Sequence, residues 1–173
     1  LDNKSIHFMD SEYKVFSSAI VGGTLPIALG TGFGIKIRYD KGKQYTDKKK
    51  EEGNVNTYQM EQINEKGKPH IWCFIGDMTA SLGIFNDCLN YAINFDLPIT
   101  FIIEDNGLST DTKTSEVWNT DISEKEEMLS RMYPDYVKYY KYVRTHSHYG
   151  TGKFISSLWT DIIKENDPRN RGF

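Results

Sequence analysis

Ile71-Trp72-Cys73-Phe74-Ile75-Gly76-Asp77 and, further on, Ile99-Thr100-Phe101-Ile102-Ile103-Glu104-Asp105-Asn106 are the two stretches whose reading decides the fold. Each is a continuous apolar run without alternation, ended by Gly-Asp in one case and by Glu-Asp-Asn in the other. Such a run fits a strand buried on both faces, for which a parallel sheet is the natural setting. Between the runs, Leu82, Phe85, Cys88, Leu89, Ala92 and Ile93 recur at helical spacing, which predicts an amphipathic helix that stops before Asp96-Leu97-Pro98. Strand, helix and strand together take up about 30 residues, the size of a parallel βαβ unit, and such connections are right-handed in about 98% of cases. The class is therefore α/β, with a parallel sheet and helices on both faces.

Working outward, Thr24 and Pro26 suit the start of a helix over about 25–38. Gly30, Gly32 and Gly34 fall inside it; each costs roughly 1 kcal/mol relative to Ala, which points to close packing against another backbone or a ligand. Residues 40–69 are rich in Lys, Glu, Gln, Asn and Gly with no apolar period and read as a polar surface insertion. Downstream, Ser123 and Glu126 have the form of a capping box for a charged helix over 123–132. The Tyr-rich 137–144 reads as a strand near a sheet edge, 146–152 as a loop, and 153–165 as a helix with Phe154, Leu158 and Ile162 on one face.

The chain has 173 residues, 38% hydrophobic and 26% charged, enough for one globular domain with a core and too apolar for a disordered chain. The net charge of -3 leaves no basic footprint, so nucleic acid is not an expected partner, and Lys48-Lys49-Lys50 reads as a solvated loop. Cys73 and Cys88 lie in apolar stretches without metal-ligand spacing and read as reduced core residues. No apolar run is long enough to span a membrane, and Leu1-Asp2-Asn3-Lys4 lacks signal-peptide character. A soluble protein of a reducing compartment is expected, the cytoplasm or the mitochondrial matrix.

In an open parallel sheet, ligands gather beyond the carboxyl ends of the strands. Asp77 and Asn106 stand at two such ends one crossover apart, so they can meet at one point. A carboxylate and an amide oxygen are hard donors suited to Mg²⁺, which takes its remaining ligands from water and phosphates. The competing reading makes Asp77 a helix cap.

Four stretches are similar to the alpha subunit of the thiamine-diphosphate-dependent decarboxylating component of 2-oxo acid dehydrogenase complexes, the pyruvate, acetoin and branched-chain group. Ser5-Ile6-His7-Phe8-Met9-Asp10 resembles the family's Ser-Met-His-Leu-Phe segment. Ala19-Ile20-Val21-Gly22 and the residues after it resemble its Gly-Ile-Val-Gly segment before a small-residue helix. Gly76-Asp77 through Leu97-Pro98 to Glu104-Asp105-Asn106-Gly107 resembles its Gly-Asp-Gly, helix, strand and Asn pattern, and Leu108-Ser109-Thr110 with Thr114-Ser115-Glu116 the loop that follows.

The resemblance implies a thiamine-diphosphate-binding fold of the diphosphate type over 1–173, incomplete at its ends because the family has cofactor-binding residues upstream where only four residues precede Ser5 here. It implies Asp77, Asn106 and the Leu108 carbonyl as Mg²⁺ ligands, Gly76 with the amides of Met78 and Thr79 at the diphosphate, and Val21 at the aminopyrimidine ring, against an ordinary core Val. Met78 departs from the family's final Gly. His146, in Arg144-Thr145-His146-Ser147, resembles the family's catalytic-loop His, against a surface-loop His, although its distance from Asn106 is short for the family. The partners implied are a 2-oxo acid and a beta-type subunit whose pyrimidine domain carries the activating Glu, making a hetero-oligomer. A transketolase-like transferase shares the metal motif, and a non-catalytic assembly subunit is the reading from outside enzymes.

Overall fold

A computed structural model describes residues 8–51, 69–110 and 112–144. A hairpin of β1 (Phe8–Asp10) and β2 (Val15–Ser17) leads to the long helix α1 (Thr24–Glu51). Then come β3 (Ile71–Gly76), the single turn α2 (Asp77–Ala80), α3 (Gly83–Asn94) and β4 (Ile99–Asp105). A two-residue hairpin, β5 (Leu108–Ser109) with β6 (Thr112–Lys113), is followed by α4 (Thr114–Trp118), α5 (Ser123–Met132) and β7 (Val137–Lys141). The main sheet is parallel, in the order β3-β4-β7, so the chain is α/β around a βαβ unit.

Because the strand order advances in one direction, right-handed crossovers put every connecting helix on the same face. That face holds the core: Cys73, Ile75, Phe101, Ile103 and Val137 pack with Leu25 of α1 and Phe85, Leu89 and Ala92 of α3. Phe85 and Phe101 meet edge to face, 5.5 Å between ring centroids and fully buried, an arrangement worth about 0.5–1.5 kcal/mol beyond area burial. The helix α3 ends as its sequence dictates. Leu97 N–H reaches Ala92 O at 2.9 Å and Asp96 N–H reaches Ile93 O at 3.1 Å, with Asp96 at φ 47, a left-handed stop that Pro98 makes final.

Several sequence expectations are corrected. Of the helices expected on both faces, those among the described residues gather on one. Accordingly β3 is buried on one face only, with Trp72 and Phe74 both 59% exposed on the other. An edge strand carrying apolar residues on both faces looks in sequence like a central one. The first helix runs to Glu51, well past the expected end near 38, because Lys, Gln and Glu are good helix formers even without an apolar period; the remainder of the 40–69 insertion up to residue 68, like the helix expected at 153–165, lies outside the described residues. The capping box is absent, since Ile122 takes the cap position of α5 without a side-chain hydrogen bond and Ser123 bonds Asp121 instead. The strand β7 stops at Lys141 rather than 144. No helix among the described residues is long and apolar enough to cross a membrane.

Of Gly30, Gly32 and Gly34, only Gly32 has a neighbour, with Leu97 3.6 Å from where a Cβ would stand; Gly30 and Gly34 meet nothing within 4 Å among the described residues. The expectation of close packing therefore fails at those two positions. Gly30→Ala and Gly34→Ala should each stabilise the isolated chain by about 0.5–1 kcal/mol, read as a higher urea midpoint; a loss of stability would mean that α1 is held by contacts at its glycine face.

Candidate functional site

The register pairs Gly76 with Glu104, so β3 and β4 end side by side and Asp77 and Asn106 leave from the same edge of the sheet. Gly76 is extended (φ -78, ψ 163) and the next residue already belongs to α2. Asp77 is 1% exposed, and its Oδ2 accepts a hydrogen bond of 2.9 Å from the Thr114 hydroxyl. Burial pushes its carboxyl above the ordinary range; the Thr114 hydrogen bond works against this and the negative Asp105 adds to it. Thr114, itself buried, is brought back to the strand ends by the small hairpin and by its amide, which donates to Gly107 O at 3.1 Å.

Asn106 is held at both ends of its side chain. Its Nδ2 donates to the Tyr142 hydroxyl at 2.9 Å, and its Oδ1 accepts from Leu108 N–H at 2.9 Å. An amide oxygen has two lone pairs, so one remains for another partner. Asp105 is turned inward and satisfied. It accepts from Gly107 N–H at 2.8 Å and Tyr139 hydroxyl at 2.7 Å, with Lys141 Nζ at 3.8 Å.

Behind these two acids lies a third, Glu126 of α5, 1% exposed and with neither carboxyl oxygen hydrogen-bonded. The nearby Ser81 hydroxyl is engaged with Asp77 O at 2.9 Å. Burial, reinforced by the charges of Asp105 and Asp77, pushes Glu126 up to about 8, so at neutral pH it is a carboxylic acid rather than a carboxylate.

The expected site residues gather unevenly. Gly76, Asp77, Met78 and Thr79 form the first turn beyond β3, and Asn106 and Leu108 the turn beyond β4. Met78 lies in helical backbone outside the positive-φ set, so the backbone here does not need a glycine for its conformation. Val21 is 57% exposed, which rules out an ordinary core valine. Its neighbour Gly22, at φ +78, lies 3.1 Å (from the place of a Cβ) from Leu82, bringing the turn against the junction of α2 and α3. His146 lies outside the described residues. Thr114, Asp105, Tyr139 and Glu126 were missed as a group; each belongs to the site only through contacts made across more than one element.

The donor set is of the kind a hard divalent cation takes. Asp77 brings a carboxyl group with no ion pair on it among the described residues, Asn106 an amide oxygen with spare capacity, and a Cβ at Gly76 would meet nothing within 4 Å among the described residues. Among the described residues no group of three or more His, Cys, Asp or Glu is arranged to hold a metal, which concerns a different kind of centre.

No family model matches the chain. It is 31% identical over 121 residues to the pyruvate dehydrogenase E1 component subunit alpha-3, chloroplastic, of Arabidopsis thaliana, covering 66% of this chain and 23% of that protein. It is 27% identical over 103 residues to the protein of the same name in Oryza sativa subsp. japonica, covering 59% and 20%. To the pyruvate dehydrogenase E1 component subunit alpha of Porphyra purpurea it is 40% identical over 50 residues, covering 28% and 14%. The chain thus spans less than a quarter of the length of the curated relatives it matches.

The acid Glu126 makes stability depend on pH. Its ordinary value is 4.5 and its folded value about 8, so the folded state binds more protons between the two and stability is lost as pH rises from about 4.5 to 8. Glu126→Gln, which keeps the shape of the neutral acid, should match the parent near pH 4.5 and exceed it by on the order of 3 kcal/mol at pH 8.5. Urea unfolding at both pH values measures this; a difference that does not grow with pH would mean Glu126 is charged in the folded protein.

Proposed function

We propose that the chain is the part of an alpha-type subunit of a thiamine-diphosphate-dependent 2-oxo acid dehydrogenase that anchors the cofactor's diphosphate through Mg²⁺. The observation that carries the reading is the placement of Asp77 and Asn106 at the carboxyl ends of adjacent parallel strands. The similarity to proteins named pyruvate dehydrogenase E1 subunit alpha supports it independently.

Asp77, Asn106 and the Leu108 carbonyl would hold Mg²⁺, and the amides of Met78 and Thr79 would face diphosphate oxygens at the start of α2. Val21 would touch the aminopyrimidine ring, a role for which its exposure leaves it available. When bound, thiamine diphosphate supplies the nucleophilic carbon and the electron sink with which a 2-oxo acid loses CO₂. This chain's own work is binding and orientation: Asp77 is buried and braced by Thr114, and Asn106 is fixed between Tyr142 and Leu108, so neither side chain has to be ordered when the cofactor arrives. His146 would assist at the reaction intermediates. The free, buried thiols of Cys73 and Cys88 suit a reducing compartment.

Helical backbone at Met78 answers one ground for the rival reading as a non-catalytic assembly subunit, a need for positive φ where the family has Gly.

Mg²⁺ and thiamine diphosphate should bind together, each strengthening the other. Asp77→Ala should abolish joint binding by calorimetry while the far-ultraviolet circular dichroism stays that of the parent; binding as tight as the parent's would refute the metal assignment. The activating carboxylic acid must lie within about 3 Å of the aminopyrimidine ring, and we assign it to a beta-type partner, since Glu104, at the same strand end as Asn106, would lie toward the diphosphate. Purified chain with Mg²⁺ and cofactor should therefore show no decarboxylation of 2-oxo acids until that partner is added. Turnover by a verified monomer would overturn this.

A further inference from the structure

We propose that Thr114 is a positioning residue that orients the Asp77 carboxylate for Mg²⁺ and so sets the metal affinity of the site; the inference rests on the reading of Asp77 just given. Thr114 is 3% exposed and Asp77 1%, so water does not compete for the 2.9 Å hydrogen bond from the hydroxyl to Oδ2. The terminal torsion of an aspartate is a broad, nearly two-fold rotor. Fixing one oxygen fixes the direction of the other, and with it the lone pairs offered to a cation.

The donor is itself fixed. The Thr114 amide donates to Gly107 O at 3.1 Å, and the Gly107 amide donates to Asp105 Oδ1 at 2.8 Å. Thr114 therefore ties the end of β4 to the end of β3 through hydrogen bonds alone, and its β-branched side chain has few rotamers in which to lose the contact. A hydroxyl has one O–H to give, and here it is given to Asp77. Loss of a partner that orients a metal ligand typically costs 10–100-fold in metal affinity.

The test compares parent, Thr114→Val and Thr114→Ser as full chains, titrating Mg²⁺ calorimetrically at saturating thiamine diphosphate, with the thermal midpoint of each recorded. Valine keeps the shape and removes the donor; serine keeps the donor. The Mg²⁺ concentration for half-saturation should rise about tenfold or more in Thr114→Val and return to within about threefold of the parent in Thr114→Ser. Should Thr114→Val not fold, Thr114→Ala against Thr114→Ser carries the same comparison. An unchanged Mg²⁺ requirement in the variant without a hydroxyl overturns the proposal while leaving the Asp77 reading standing. A rise in both variants that follows the thermal midpoint also overturns it, since it would mark Thr114 as a packing residue. A parent that binds no cofactor with Mg²⁺ overturns both readings together.

Discussion

The parallel ladder between β3 and β4 is the constraint on which the rest depends. Its hydrogen bonds run from Ile71 opposite Ile99 to Gly76 opposite Glu104, and in doing so they decide where both strands stop. A slip by one residue would turn every side chain of a strand to the other face, exposing Cys73 and Ile75 and burying Trp72 and Phe74. The core thus enforces a register that polar residues alone could not hold. Asp77, Asp105 and Asn106 inherit their positions from it, and α5 and the small hairpin are then packed around a polar centre already in place.

That centre is acidic, and the protein manages its charge in three different ways. Asp105 is satisfied by Tyr139, Lys141 and the Gly107 amide. Glu126 gives up its charge, because an unpaired carboxylate deprived of water and set against two others is too costly to keep ionised. Asp77 stands between: its pKa is raised by burial and lowered by Thr114. A cation at Asp77 would favour its charged form, so on the proposed reading metal binding and ionisation of this carboxyl reinforce each other.

The parallel βαβ unit was legible because its evidence is local: two apolar runs, a helix of period 3.6 and a Leu-Pro stop. The place of Asp77 and Asn106 just past two strand ends was legible because strand ends are legible. Thr114 was not, since its role comes from a hairpin of two-residue strands, too short to leave a periodic trace. Glu126 was misread as half of a capping box because the pattern of Ser and Glu three residues apart is the same whether the Glu reaches back to the cap or turns into the core. In α1 the sequence offers start signals at Thr24 and Pro26 but no apolar period beyond residue 40, and the polar second half continues as helix through propensity and the cooperativity of extending a helix already begun. Burial of β3 on one face is hidden in the sequence for the opposite reason. With Trp72 and Phe74 as apolar as Cys73 and Ile75, the strand carries no alternation from which a single buried face could be inferred.

The alternation of buried positions along each strand explains why the acids are buried at all. Along β3 and just past its end, Cys73, Ile75 and Asp77 are buried in turn, and along β4 so are Phe101, Ile103 and Asp105. Both aspartates continue the series of core-facing positions, one step beyond the last apolar residue of each strand. Asn106 follows Asp105 by one residue and falls in the other phase, partly exposed and within reach of Tyr142. The carboxylate of the candidate site is therefore presented from inside the core and the amide from its rim. A cation held between them would meet a ligand fixed by packing on one side and one fixed by hydrogen bonds on the other. The rigidity of the first depends on the hydrophobic face, which is why changes at Ile75 or Ile103 that loosen the core should reach the site through Asp77 before they reach Asn106.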